Sequence, residues 1–514
     1  MKPFLTRIHS HTSLFIVIFA SLLYFVVFSF LSMQRVTLMR ASYFDLGIMH
    51  QTVFNTYKAL MTADITRILE LTDPHGSGEQ ITRIGIHNDV LMGFIAPLYV
   101  IHSGPETLLL VQTAVIASGA LALYFIVRHL TAHVNNAQSN VKETLSIIVP
   151  LAYLMYFPLQ RVNLYEFHAV ALSIGFLLWM YNAYFARRWG WGILFGLLAL
   201  LSKEQVGMSI SLFAIVEVIR RFKAHLSHHA LTWEYLRSFL WQKTVRILPF
   251  VSLFTMAYSL LSVYLLIPFF RINQQDHFAL HYYIKDSSNT LDLLVQYLAH
   301  LVSLESVQYV WKVLFPVLFL PLLSIYFLPA IPDLLINLLS NNSYMRNTYF
   351  HYTAILIPWF FIALSHSFSR ILQMKNTRVV WGLMGAFCVS ILVASARFGP
   401  LPYSTSHENS LWFESNPNSD DIHEWQRIVN DDTVAVSTTG KLAPHFAGRR
   451  YFYDFGVHYD KAQYVIVQPE DMSNYWNKDV LYDAYNTLQA DVRYALIHQN
   501  NNFEVYKRII LPSP

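Results

Sequence analysis

Ser13–Met33 reads SLFIVIFASLLYFVVFSFLSM and carries no Asp, Glu, Lys or Arg. A helix needs roughly 20 apolar residues to cross a hydrocarbon core of about 30 Å, so this stretch has the length and composition of a membrane span. Thr107–Val127 (TLLLVQTAVIASGALALYFIV) has the same character. A soluble core helix of that length would keep a polar face, and neither segment has one. The first is too long for a signal peptide and lacks a small-residue cleavage site, which predicts a retained anchor.

The rest of the chain agrees with this reading. Hydrophobic residues make up 54% and charged residues 13%, against about a quarter charged in soluble domains. Further apolar runs occur at Ser146–Leu159, Val170–Phe185, Trp191–Leu201, Val206–Ile219, Ile247–Phe270, Val313–Leu328, Pro329–Ser340, Thr353–Leu364 and Val379–Val393. Together they predict about eleven spans, several of them short, as in broken or tilted helices within a bundle. Val90–Ile101 contains Pro97 and is too short to cross, which predicts a re-entrant or interfacial helix. The net charge of +4 supports no nucleic-acid partner, and the single cysteine, Cys388 in an apolar run, excludes an internal disulfide or a cysteine metal site.

Basic residues set the expected orientation. Lys2 and Arg7, Arg128 and Lys142, Arg187 and Arg188, Arg220, Arg221 and Lys223, and Arg370, Lys375 and Arg378 fall on alternate loops, predicting a cytoplasmic N-terminus in the plasma membrane. The opposite loops, Gln34–Ile86, Gln160–Phe167, Ser202–Gln205, Arg271–Ser303 and Asn341–Tyr352, are then external. After residue 397 the composition turns polar, so the chain divides into a polytopic domain, 1–397, and a small external α/β domain, 398–514. Strands are expected at Thr433–Ser437, Tyr451–Phe455, Tyr464–Val467, Tyr494–His498 and Phe503–Lys507, with a hairpin turn at Asn500–Asn502. Lys441–Gly448 and Val480–Gln489 read as helices.

The acids and imidazoles of the expected external face could carry chemistry. Asp45 lies in Ser42-Tyr43-Phe44-Asp45-Leu46-Gly47, ahead of a helical pattern beginning at Ile48. It reads either as an N-cap for that helix or as a carboxylate able to act as base or metal ligand. His87 and Asp89, Glu166-Phe167-His168 after Arg161, Lys203-Glu204 and His351-Tyr352 map to the same side. Each has a plainer reading: a neutralised pair at a loop for Lys203-Glu204, an interfacial belt for His351-Tyr352. No metal-spacing motif, Walker loop, dinucleotide fingerprint or nucleophile elbow is present.

In their order these elements resemble an uncharacterised prokaryotic family of predicted multi-pass membrane proteins, a domain of unknown function. The hallmark is Phe44-Asp45-Leu46-Gly47-Ile48 followed by Gln51. The series continues with His87 through Pro97, Leu110-Val111-Gln112, Glu166-Phe167-His168, Lys203-Glu204 and His351-Tyr352. Val434–Ser437, Pro444-His445 and Tyr464–Val467 close it, so the likeness covers nearly the whole chain. The family usually has aspartate where this chain has Glu166, and commonly an acid where it has Gln205.

That family in turn looks like the GT-C glycosyltransferases, multi-span enzymes with an essential aspartate in a large first external loop. They use polyprenyl-phosphate-linked sugars and often end in a soluble external domain. The resemblance implies an all-α GT-C-like membrane bundle with a small C-terminal α/β domain, transferring a sugar from a lipid-phosphate donor to an extracytoplasmic acceptor. Asp45, Glu166 and Glu204 are the implied catalytic groups, with Asp45 as base or metal ligand. His87, Arg161, His168, Lys203 and His351 would bind substrate, Lys203 or Arg161 meeting the phosphate. A divalent cation is a candidate cofactor, with Asp45, His87, Asp89 and His168 as candidate ligands. The bilayer and the lipid-linked donor are the expected partners. The alternatives are a transporter or lipid flippase, suited by the prolines Pro316, Pro321, Pro329 and Pro332, or a non-catalytic membrane scaffold. No inverted repeat supports the transporter.

Overall fold

The computed structural model describes residues 2–134, 138–226, 233–272, 280, 283, 289–406 and 410–509. Among them, five helices are long and apolar enough to span a bilayer: His11–Thr37, Pro105–Ala132, Thr244–Phe270, His351–Ile371 and Thr377–Phe398. Ser139–Met155 and Phe157–Tyr165, bent by 44°, make a sixth if they form one crossing. Of the roughly eleven expected spans, several of them short, these five or six are long enough to cross by length and composition. Ala169–Phe185 and Trp189–Leu200 are apolar but short helices. The run after Leu314 is cut into 3-10 turns, Phe315–Val317, Leu320–Leu323 and Ile325–Ala330, each containing a proline. A proline removes a backbone donor and collides with the preceding turn, so these segments cannot continue as α-helix. Leu318 and Phe319 between them take left-handed backbones, φ 52° and 56°.

Two opposite ends of the bundle have opposite chemistry. At one, Ser369 Oγ donates to the Leu130 carbonyl, Arg370 to the Leu323 carbonyl and Arg221 to Tyr184 Oη, gathering several of the basic residues. At the other, Gln112 joins two elements: its Nε2 donates to the Glu166 carbonyl (2.9 Å), and its Oε1 accepts from the His168 N–H (2.9 Å). Val90–Ile101 contains two short turns of helix, Leu91–Ile95 and Ala96–Val100, tied by the Leu91 N–H to the Leu201 carbonyl.

The first long loop is ordered throughout. A π-helical turn, Tyr43–Gly47, runs directly into the helix Ile48–Thr62. A two-stranded antiparallel hairpin follows, β1 (Glu70–Thr72) against β2 (Gln80–Thr82), which the sequence reading had not foreseen. The tail forms a five-stranded sheet from β3 (Val436–Thr438), β4 (Phe452–Asp454), β5 (Tyr464–Val467), β6 (Tyr494–Asn500) and β7 (Phe503–Arg508), in the order β4-β3-β5-β7-β6. The strands β3, β4 and β5 are parallel, while β7 runs antiparallel to β5 and β6. The expected hairpin closes at Asn501, whose φ of 45° is one that asparagine tolerates.

The loop and the tail share one core. Tyr43, Leu46, Met49 and Val53 cluster with Phe446, Phe452, Ile466 and Val505. Gln51 Nε2 donates to the Arg450 carbonyl (3.0 Å), Arg67 pairs with Asp432 (2.9 Å) and Arg450 with Glu70 (3.1 Å). Gly47 lies where a Cβ would press on Tyr43 Cδ2 (3.1 Å) and on Ala443 Cβ (3.3 Å), so the short helix Ala443–Phe446 reaches the turn only because residue 47 has no side chain.

This interface makes stability depend on pH. His50 is buried with Nδ1 against Tyr99 Oη (2.9 Å), and burial pulls its pKa down from 6.5 to about 4. His87 is pulled down to about 3, again chiefly by burial. The unfolded chain takes up protons at these sites near pH 6.5 and the folded one does not, so their contribution is complete above that pH and declines as pH falls toward 4. The unfolding temperature of purified protein should therefore drop between pH 7 and pH 5, and His50→Gln should shallow the slope. A flat profile for the wild type would refute buried neutral imidazoles.

Candidate functional site

Asp45 lies inside the turn Tyr43–Gly47, and its carboxylate binds no backbone N–H of the following helix. The N-cap reading is therefore overturned. The acid that secures this turn comes from far along the chain: Glu166 Oε2 accepts the N–H of Leu46 (2.8 Å) and of Ser42 (3.2 Å). Glu166 is itself placed by a helix ending at Tyr165, with extended backbone after it. It fixes the turn on which Asp45 sits.

Released from capping, the Asp45 carboxylate turns toward side chains. Oδ2 accepts from Tyr165 Oη (2.7 Å) and Oδ1 from His168 Nε2 (3.0 Å). His168 stacks on His351 with ring centroids 3.7 Å apart, and Tyr165 stacks on His168 at 5.5 Å. The Nδ1 atoms of both histidines are buried without a hydrogen-bond partner. Burial opposes the Asp45 charge, but the His168 imidazole and the hydrogen bonds from His168 and Tyr165 outweigh it and hold the carboxyl below its usual range. Burial, reinforced by the neighbouring Asp45 charge, drives Glu166 well above that range. The pKa values of two neighbouring carboxyl groups are thus pushed apart, Asp45 toward its ionised form and Glu166 toward its neutral one.

These groups face a cavity of about 940 Å³ lined by Asp45, His87, His168, Lys203, Glu204 and His351, among others. Asp45 keeps 24% of its side chain exposed there, whereas Glu204 keeps 5%. Glu204 accepts from the Asn88 N–H (3.2 Å) and lies 2.9 Å from His87 Nδ1, joining the end of the first loop to the break between Trp189–Leu200 and Val206–Leu226. Lys203 on the same break also lines the cavity. Next to it, Gln205 donates to the buried Asp333 (2.7 Å), an acid from another helix.

Eight of the expected residues therefore line one cavity or, in the case of Glu166, support its wall. Arg161 does not line it. Its guanidinium donates to the carbonyls of Phe398 (3.1 Å) and Gly399 (3.4 Å) and to Ser406, fastening the chain where the last long helix ends. Asp89 lines the cavity but is held by Arg83 through two contacts, Nε to Oδ1 (3.0 Å) and an Nη to Oδ2 (2.8 Å). Sequence reasoning missed Tyr165 and Arg83. Tyr165 directly precedes Glu166-Phe167-His168, the one available signal, and nothing in sequence marks Arg83.

The metal candidates do not assemble. Among the described residues, no three His, Cys, Asp or Glu side chains converge as a metal site. Asp45 spends an oxygen each on Tyr165 and His168, Asp89 is taken by Arg83, and His87 faces Glu204. This donor set does not fit a divalent cation, and no step below uses one.

Comparisons with known proteins agree on the fold. No curated protein matches the sequence. Among solved structures, ArnT from Cupriavidus metallidurans, crystallised bound to undecaprenyl phosphate, aligns over 95% of this chain and 98% of its own, with a TM-score of 0.52 and 10% identity. The oligosaccharyltransferase of Archaeoglobus fulgidus aligns over 90% of this chain and 71% of its own at a TM-score of 0.38 and 12% identity, too distant to carry an argument. The architecture is thus the GT-C-like helical bundle with a small C-terminal sheet that the sequence implied. The sequence model of the family described as "Predicted membrane protein (DUF2079)" matches residues 35–505, and the chain belongs to that family.

Proposed function

We propose that the protein transfers a glycosyl group from a polyprenyl-phosphate-linked donor to an acceptor hydroxyl, with Asp45 as general base. The observation that carries the reading is a partly exposed Asp45 that lines, together with Lys203, a cavity at one end of a membrane bundle. The likeness to ArnT, a protein seen with undecaprenyl phosphate, supports a lipid-phosphate donor. In the step, the acceptor proton passes to an Asp45 oxygen as the hydroxyl oxygen bonds to the anomeric carbon. The bond from that carbon to the phosphate oxygen breaks, its electron pair leaving with the phosphate, whose charge the Lys203 ammonium meets. Tyr165 and His168 hold the carboxylate in place, and Glu166 holds the turn beneath it. In this reading the cavity and the tail lie outside the cytoplasm and the N-terminus inside, because Arg128, Arg187, Arg188, Arg220, Arg221 and Arg370 fall at or near the loops of the opposite end.

Sealed inside-out vesicles supplied with a radiolabelled polyprenyl-phosphate sugar test both parts. Transfer is expected only when donor and acceptor are in the lumen. Lys203→Met is expected to lose a charge-assisted phosphate contact and to raise the donor KM about tenfold or more. Transfer to acceptors on the cytoplasmic side, or an unchanged KM in the variant, would count against the proposal. Donor binding without any turnover would favour a transporter or a scaffold.

A further inference from the structure

A second recess lies away from the Asp45 cavity. The helices Trp189–Leu200, Val206–Leu226 and Lys243–Leu261 enclose an apolar groove of about 670 Å³, with Leu200, Ile210, Phe213 and Leu248 buried along its floor. Its lining runs from Thr244 to Thr255 along the third helix. At 1.5 Å per residue that is about 16 Å, half of a hydrocarbon core and so the depth of one leaflet. The groove does not open into the cavity along these helices. Between them Gly207 packs directly on the Thr255 carbonyl and the Ser259 hydroxyl, with no room for a side chain.

The chemistry at the far end of the groove is cationic. Tyr184 and Trp189 line that end, and Arg187 and Arg188, both exposed, directly precede Trp189. Arg246 precedes the lining residue Ile247, and its guanidinium sits 5.0 Å over the exposed Trp241 ring. The nearby acid, Glu217, is buried and already held by Arg220 (2.9 Å), leaving it no role at the rim. Basic residues beside an apolar groove between membrane helices suit an acidic lipid headgroup, with an acyl chain below it.

We infer that this groove is a binding site for an anionic phospholipid, one acyl chain lying between the three helices and the phosphate meeting Arg187, Arg188 and Arg246. The occupant is not the sugar carrier, whose phosphate belongs beside Lys203, beyond the Gly207 contact. The inference stands whether or not the protein transfers sugars.

Delipidated full-length protein in detergent, titrated with dioleoyl phosphatidylglycerol, dioleoyl phosphatidylcholine or a polyprenyl phosphate and read by native mass spectrometry, tests it. Phosphatidylglycerol is expected to be retained about tenfold more tightly than phosphatidylcholine, and Arg187→Gln/Arg188→Gln/Arg246→Gln to erase that preference. Membrane yield and glycosyl transfer of the triple variant should match wild type, since none of the three lines the cavity. Equal retention of the two phospholipids would reduce the groove to ordinary annular contact. Undiminished phosphatidylglycerol binding by the triple variant, or its displacement by polyprenyl phosphate at equal concentration, would also overturn the assignment.

Discussion

Asp45→Asn is expected to leave a folded, membrane-inserted protein that has lost glycosyl transfer by about 100-fold or more, the usual weight of a general base. Asparagine has nearly the volume of aspartate and keeps one oxygen to accept from Tyr165 or His168. Since Asp45 caps no helix, losing its charge removes no backbone contact. The amide cannot take a proton from the acceptor hydroxyl. Asp45→Ala should lose transfer equally, and with it the hydrogen bonds from Tyr165 and His168 that now anchor the side chain. Membrane abundance, thermal stability and transfer should be measured together for the three proteins. An asparagine variant with wild-type transfer would remove the base from the mechanism and return Asp45 to a structural role.

The variants of Glu166 should separate in the opposite sense. Its Oε2 satisfies the buried N–H of Leu46 and the part-buried one of Ser42, and leaving the buried one unpaired costs about 1–3 kcal/mol. Glu166→Ala should therefore lower thermal stability markedly, loosen the turn Tyr43–Gly47 and take transfer down with it. Glu166→Gln retains an acceptor oxygen and, because the native carboxyl is pushed toward its neutral form, surrenders no needed charge. That variant should fold within about 1 kcal/mol of wild type and keep transfer within tenfold. A glutamine variant as damaged as the alanine one would mean that Glu166 works as a carboxylate, and its role would become catalytic.

These two acids also mark how far sequence could lead. Ser13–Met33 and Thr107–Val127 declared themselves, because a span is specified by local composition alone. The strand Tyr464–Val467 and the turn at Asn500–Asn502 were legible for the same reason: alternation and turn chemistry are short-range signals. In the run from Val313 to Ser340 hydropathy registers the leucines, and Pro316, Pro321 and Pro329 mark where the helix breaks into 3-10 turns. At the site, the residue types were evident but their division of labour was not. Asp45 preceded a helix as a cap would, yet the capping oxygen belongs to Glu166, 120 residues later. Arg161 sat beside the Glu166 motif as a phosphate ligand would, yet its contacts lie at Phe398 and Gly399, 237 and 238 residues on. Pairings across such separations leave no trace in local pattern.

The core shared by the first loop and the tail has a consequence for biosynthesis. During translation Tyr43 leaves the ribosome hundreds of residues ahead of Phe452, the ring it packs against at 5.1 Å. Through that interval the segment carrying Asp45 must wait with the apolar side chains that face the tail uncovered. Contacts between such distant residues form late, because a long loop must close before they return any energy. The nascent chain therefore passes most of its synthesis with this core unfinished, and the turn that carries Asp45 gains its full packing only once residues 443–505 have been made.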